Sequence, residues 1–288
     1  MIIRIICGAL FVLLAPFLGG LLSGIDRKIT ARMQGRKGPS ILQPFYDLFK
    51  LFSKETVVVN GLQNFLAIGF LIFIIFTGVL FFSGGDLLLV FFALTLAAIF
   101  LVMCASSANS PYSAMGAQRE LVQMMAYEPM VLIVAVGFYM ATGSFAVSDI
   151  IKSDISSILF IPGIFIGYLF ILTIKLRKSP FDLSTSHHAH QEMVKGLTTE
   201  LSGKMFGIIE LAHWYENIML IGIIGIFIIN SAWYSWIIAA LVCAVSYFLE
   251  ILIDNADARV KWETMLKSAW IVALVFGIAN LFVLKYLI

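Results

Sequence analysis

An all-α polytopic membrane protein, with about eight transmembrane helices and a short amphipathic helix at the membrane surface, is the fold this sequence predicts. Three observations predict it. Of 288 residues, 61% are hydrophobic and 12% charged, a balance outside the range of soluble globular chains. The apolar residues gather into eight runs of about 20, the length that spans a hydrocarbon core. The basic residues are sorted by connection: segments 25–61, 107–119, 175–204 and 254–267 hold sixteen of the nineteen Lys and Arg. The opposite side holds Arg4, Lys152 and Lys285. The positive-inside rule then predicts cytoplasmic long loops and both termini outside.

The predicted spans lie near 3–24, 62–82, 86–106, 118–142, 157–176, 205–229, 232–253 and 267–287. The first has one basic residue before it and seven in the connection after it. It reads as a retained anchor rather than a cleaved signal. The first internal connection is long, and within ILQPFYDLFKLFSKE the residues Phe45, Leu48, Phe49 and Phe52 recur at i, i+3, i+4 and i+7. That is the periodicity of an interfacial amphipathic helix, which serves either as a surface anchor or as a platform for a cytoplasmic partner. No repeat, low-complexity tract or second domain interrupts residues 1–288.

Carboxylates occur in or near the spans: Glu120, Glu128, Glu210, Glu216, Glu250 and Asp254. A charged residue at a bilayer centre costs roughly 2.5–3.5 kcal/mol on insertion scales. Two readings account for them. They are tied down by basic residues near helix ends, with Arg119, Lys204 and Arg259 close in sequence, or they form a proton path. Glu210, His213 and Asn217 share a helix face at i, i+3 and i+7, which suits a hydrated polar stripe.

The segment RKSPFDLSTSHHAHQEMVKGLTTELSGKMF holds three of the four histidines. His187 with His190, and His188 with Glu192, have spacings that could present two ligands on one helical turn. No HExxH order, cysteine partner or distant ligand pair accompanies them. A hydrogen-bonded loop against another subunit, or proton exchange by imidazole, explains them better than a metal. Cys7, Cys104 and Cys243 stand singly in apolar runs, without spacing for a disulfide, zinc or iron-sulfur site. A net charge of +2 gives no reason to expect nucleic-acid binding. Secondary transport would call for an inverted repeat with broken helix pairs, and the sequence shows neither.

Four ordered stretches, KITARMQGRKGPSILQPFYDLFKLFSKE, GAQRELVQMMAYEP, SPFDLSTSHHAHQEMVKGLTTELSGKMF and DNADARVKWETMLKSAW, resemble the NADH dehydrogenase subunit 1, or H, family of complex I. The resemblance covers nearly the whole chain. It implies a membrane subunit joining a soluble redox arm to an ion-pumping arm, with buried acids lining a hydrated channel. Quinone-reducing members carry an acidic run where this chain has STSHHAHQE, which is longer and rich in histidine. In that respect the chain looks like the corresponding subunit of group 4 energy-converting nickel-iron hydrogenases.

That resemblance implies a prokaryotic cell-membrane protein that couples ferredoxin oxidation and hydrogen evolution to proton or sodium translocation. The implied partners are hydrogenase large and small subunits, a ferredoxin-like iron-sulfur subunit and an antiporter-like membrane subunit. The chain itself would bind no cofactor; the nickel-iron centre and 4Fe-4S clusters would sit on partners. Arg36, Asp47, Lys50, Asp182, His187, His188, His190 and Glu192 would form the redox-arm interface. Glu120, Glu128, Glu200, Glu210, His213, Glu216, Glu250 and Asp254 would form the proton pathway. A quinone- or methanophenazine-site subunit is the alternative, and a passive membrane anchor a second one.

Overall fold

Hydrocarbon offers a backbone no hydrogen bonds, so a chain this apolar satisfies its amides within helices. The computed structural model, which describes residues 2–55, 60–185 and 195–287, has no β-strand among them, only an isolated bridge between Asp86 and Ala146. The helices are α1 (Ile2–Met33), α2 (Gln43–Ser53), α3 (Gly61–Phe82), α4 (Leu87–Ser106), α5 (Pro111–Thr142), α6 (Val147–Ile151), α7 (Pro162–Lys175), α8 (Gly203–Ile226), α9 (Tyr234–Ala256), α10 (Trp262–Val272) and α11 (Ala279–Leu287). A π-helical turn, Ala273–Ile278, joins α10 to α11. Helix starts follow local chemistry: Asn60 caps α3, Asp86 caps α4, and proline occupies the first turn of α2, α5 and α7.

Seven of these helices are long and apolar enough to cross a membrane, counting α10 to α11 as one. The remaining predicted span is α7, which has only 14 residues. At 1.5 Å per residue it reaches about 21 Å, short of a hydrocarbon core of about 30 Å. The segment that contains it nonetheless runs the length of the bundle. One end of the bundle gathers Arg4 with Ser148, Asp86 with Ala146, and Ser231 with Asp154. The other gathers Gln34 with Asn255, Asn60 with Ser107, and Val260 with Pro180. Residues 154 and 180 therefore lie at different ends.

The missing length is supplied by irregular backbone that the protein itself satisfies. Ile158 N donates to Phe227 O at 2.8 Å, and Ser156 Oγ donates to Ile228 O at 2.7 Å. Asn280 then caps the short helix from outside: its Oδ1 accepts from Ile164 N at 3.1 Å and its Nδ2 donates to Phe160 O at 3.2 Å. Gly163 lets the π-helical segment approach, since a Cβ there would stand 2.7 Å from Phe276 O. Non-helical backbone at membrane depth is tolerated in this way only when buried in protein.

Other boundaries differ from the sequence expectation, among them the last span, which begins at Trp262 rather than 267. The first span continues past residue 24 to Met33, and the fourth begins at Pro111 rather than 118. Protein contact replaces lipid along both extensions. Ala31 is buried, and at the start of α5 Ser113, Gly116 and Ala117 are buried, with Gly116 against the backbone of Gly196 and Leu197.

The amphipathic helix forms where the periodicity predicts it. Phe45 packs edge-on against Trp214 of α8 with centroids 5.3 Å apart, while Tyr46 and Phe49 on α2 remain 61% and 69% exposed. Just before α2 the chain passes so close to α1 that a Cβ on Gly24 would stand 1.9 Å from Ile41 O. Gly24→Ala is expected to cost about 1–3 kcal/mol, the range for overpacking a tight contact, whereas Gly61→Ala, where a Cβ meets nothing within 4 Å, should be close to neutral. Thermal unfolding of the detergent-solubilised variants checks the contrast.

Candidate functional site

The charges that a membrane protein hides must find partners inside it. Here the partners come from the end of α7. The chain leaves that helix through Leu176 and Arg177, whose φ of 51° lies in the left-handed region. Turn bonds hold this conformation: Arg177 N donates to Ile174 O at 3.1 Å and Lys178 N to Thr173 O at 3.2 Å. The two consecutive cations then engage different helices.

Arg177 enters a cluster between α5 and α8. Its Nη2 donates to Glu120 Oε1 at 2.7 Å and its Nε to the same carboxylate at 3.2 and 3.4 Å, the forked geometry that favours arginine over lysine. Its Nη1 lies 3.7 Å from Glu216 Oε2 and 3.2 Å from His213 Nδ1. His213 Nδ1 is in turn 3.2 Å from Glu216 Oε2. Lys175 completes the set, 4.0 Å from Glu216 Oε1 and 4.2 Å from the centre of the Tyr127 ring.

Glu120, Glu216 and Lys175 are buried. Two carboxylates against two basic side chains leave the set balanced with His213 neutral, so uptake of one proton changes the charge of the whole cluster. Glu128 lies two turns along α5 from Glu120.

Lys178 enters a second set, between α1 and α9. Its Nζ is 2.7 Å from Asp26 Oδ2, which also accepts from Tyr247 Oη at 3.3 Å. Asp254 Oδ1 accepts from Ser179 N at 2.8 Å. Glu250, one helical turn away on α9, is buried. Nearby, Asp182 is buried and lies 3.7 Å from Arg259.

Of the residues predicted for the pathway, the structure thus brings Glu120, His213 and Glu216 together, and Glu250 with Asp254 elsewhere. Glu128, Glu200 and Glu210 are half-buried and outside these contacts. His213 meets Glu216 and Arg177; Glu210 and Asn217 lie on the same helix, α8. Arg259 pairs with Asp182 rather than with one of the six span carboxylates, Glu120 and Glu216 are matched by Arg177 and Lys175, and Arg119 donates to Leu183 O at 3.4 Å. Lys175, Arg177, Lys178, Asp26, Tyr127 and Tyr247 were not among the predicted site residues. The signal for the three cations is the run KLRK directly after an apolar segment.

At the predicted interface, Arg27 reaches Asp47 at 2.8 Å and Lys50 reaches it at 3.5 Å. Partial burial works against the charge on Asp47, but these partners and Gln43 prevail and hold its carboxyl below the usual range. Arg36 is exposed and donates to Gln34. His187, His188, His190 and Glu192 lie outside the described residues. On either side of them, Leu197 N donates to Ser184 O at 3.3 Å.

Known proteins share this arrangement of sequence and fold. A family profile described as NADH dehydrogenase matches residues 5–285. The H subunit of the NADH-quinone oxidoreductase of Rhodospirillum rubrum is 27% identical, over 90% of this chain and 86% of that protein. Its counterpart in Carboxydothermus hydrogenoformans is 28% identical over 90% of this chain and 81% of its own length. A chain from the membrane-bound sulfane sulfur reductase, an archaeal respiratory membrane complex, superposes with a TM-score of 0.84 at 23% identity, covering 96% of this chain and 99% of that one. At that identity the likeness is one of fold.

Removing the shared cation tests the cluster. Arg177→Met leaves two buried carboxylates facing each other and should destabilise the protein by about 3–5 kcal/mol, as breaking a buried ion pair does. Adding Glu120→Gln to Arg177→Met should recover part of that loss, a non-additivity of about 0.5–3 kcal/mol. Thermal unfolding of the single and double variants in detergent measures both.

Proposed function

Since the chain belongs to the NADH dehydrogenase subunit 1 (H) family, membrane subunits of complex I-like respiratory complexes, we propose that it is the coupling subunit of an energy-converting hydrogenase. In this reading it anchors a soluble nickel-iron and iron-sulfur arm on the cytoplasmic side of a prokaryotic cell membrane. Ferredoxin-dependent hydrogen evolution in that arm is linked through this chain to proton or sodium translocation. An antiporter-like membrane subunit stands alongside.

One observation carries the coupling role: Glu120, Glu216, His213, Arg177 and Lys175 form a continuous set of titratable and charged groups within the span region. A passive anchor has no use for it. Intramembrane acids, histidines and their counter-ions mark proton relays in pumps and transporters. Protons would pass between the junction and the bilayer interior by way of this set, with Glu128, Glu200 and Glu210 extending it and Glu250 and Asp254 beside it. The nickel ligands and clusters would be on partner chains, so electrons never enter this one.

The hydrogenase branch rests on the STSHHAHQE segment, with histidines where quinone-reducing relatives carry acids. Arg36, Asp47, Lys50 and Asp182 would face the soluble arm together with that segment, and the exposed Tyr46 and Phe49 of α2 supply apolar contact area. A quinone-linked assembly is the second reading, favoured by relatives that are named for an NADH-quinone oxidoreductase.

In the purified complex, Glu120→Gln or Glu216→Gln should leave electron transfer in detergent close to wild type. Ion transport by vesicles should fall by about tenfold or more, in keeping with loss of a positioned proton-transfer group. Undiminished transport per electron pair would falsify the coupling assignment. Identification of the co-purifying chains decides the branch: a nickel-binding large subunit is the expected result, and stoichiometric quinone whose extraction abolishes activity favours the second reading.

A further inference from the structure

Glu250 has a feature that the Glu120 cluster lacks. It is 2% exposed, and its Oε2 has no hydrogen-bond partner. An unmet acceptor away from water costs free energy comparable to a lost hydrogen bond, more so for a carboxylate. The residue lines a crevice of about 240 Å³ between α7 and α9, whose walls include Phe170, Leu249 and Ile253. The polar groups in that wall are Thr173, Ser246 and Asp257 beside Glu250 itself.

Asp257 is exposed and sits where α9 ends, so it marks the mouth. Glu250 and Asp254 stand one turn apart on α9 and Asp257 caps its end; of the three, Glu250 and Asp257 line the crevice. Water needs a polar, roomy site with 2–4 partners. The crevice offers two carboxylates and two hydroxyls, with volume for more than one molecule.

We propose that this crevice is a port through which water reaches Glu250 and exchanges protons with it, feeding a branch through Lys178 and Asp26 that is distinct from the Glu120–Arg177–Glu216 cluster. The inference rests on the coupling role proposed above. Around Glu250 stand Thr173 of α7, Lys178 of the turn after it and Asp254 of α9; Lys178 in turn reaches Asp26 of α1, which also accepts from Tyr247 Oη of α9. Arg177 and Lys178, adjacent in sequence, thereby serve separate branches, one on α5 and α8 and the other on α1 and α9.

The test uses the whole complex in membrane vesicles, with Cys7, Cys104 and Cys243 replaced by serine or alanine. Ser246→Cys, and in parallel Thr173→Cys, are treated with a water-soluble methanethiosulfonate reagent on the side that bears the soluble arm, with Asp257→Cys as the accessible control. Modification of either crevice cysteine is expected, together with reduced ion transport per electron pair in Glu250→Gln. If the control reacts and neither crevice cysteine does, the port is overturned whatever transport shows. If a crevice cysteine reacts but Glu250→Gln transports like wild type while Glu216→Gln does not, the branch is overturned and the coupling role stands. Wild-type transport in both glutamine variants overturns the two together.

Discussion

The guanidinium of Arg177, shared between Glu120 and Glu216, is the interaction on which the interior of this protein depends. It lets two carboxylates remain within the bundle at Oε distances of 2.7 and 3.7 Å from one cation. Isolated, either acid would carry the desolvation cost of a buried ion, several kcal/mol even after relaxation. Because arginine does not deprotonate in proteins, the counter-charge is fixed. In the reading proposed above, any change of protonation falls to the other members of the set.

The short α7 explains how such a residue comes to be there. The KLRK run begins at the last residue of α7, toward the end of the bundle opposite residue 154. Here the helix is 14 residues long, its start is set back by the irregular segment that Phe227, Ile228 and Asn280 satisfy, and its end delivers Lys175 and Arg177 among the helices. The left-handed Arg177 then turns the chain so that Lys178 meets Asp26. Helix length, cap and turn conformation together create two charge sets from one four-residue basic run.

Much of this was legible in the sequence. Hydropathy placed the spans because each apolar run is near the length of a bilayer core, and a 3.6-residue periodicity placed α2. The break inside 157–176 was not legible, since Ile158 to Ile161 are as apolar as the helix that follows; only Pro162 hints at it, by restricting the residue before it. The polar extension of α5 was hidden because its small residues pack on protein instead of lipid. Among site residues, the acids stood out as charges in apolar runs, whereas Lys175, Arg177 and Lys178 passed for an ordinary basic flank. His213 illustrates the limit of helical wheels: i, i+3 spacing fits both Glu210 and Glu216, and tertiary contact with Arg177 selects Glu216.

The central claim is that the buried acids around Arg177 change protonation when the soluble arm is reduced. Infrared difference spectroscopy of the intact complex, oxidised against reduced, reads this directly through the stretching band of protonated carboxyl groups. The expected result is a carboxyl band that changes on reduction, is lost or shifted in Glu216→Gln or Glu120→Gln, and persists in Asp47→Asn. A difference spectrum with no carboxyl signal, or one unaltered by substitution at both Glu120 and Glu216, would contradict the account.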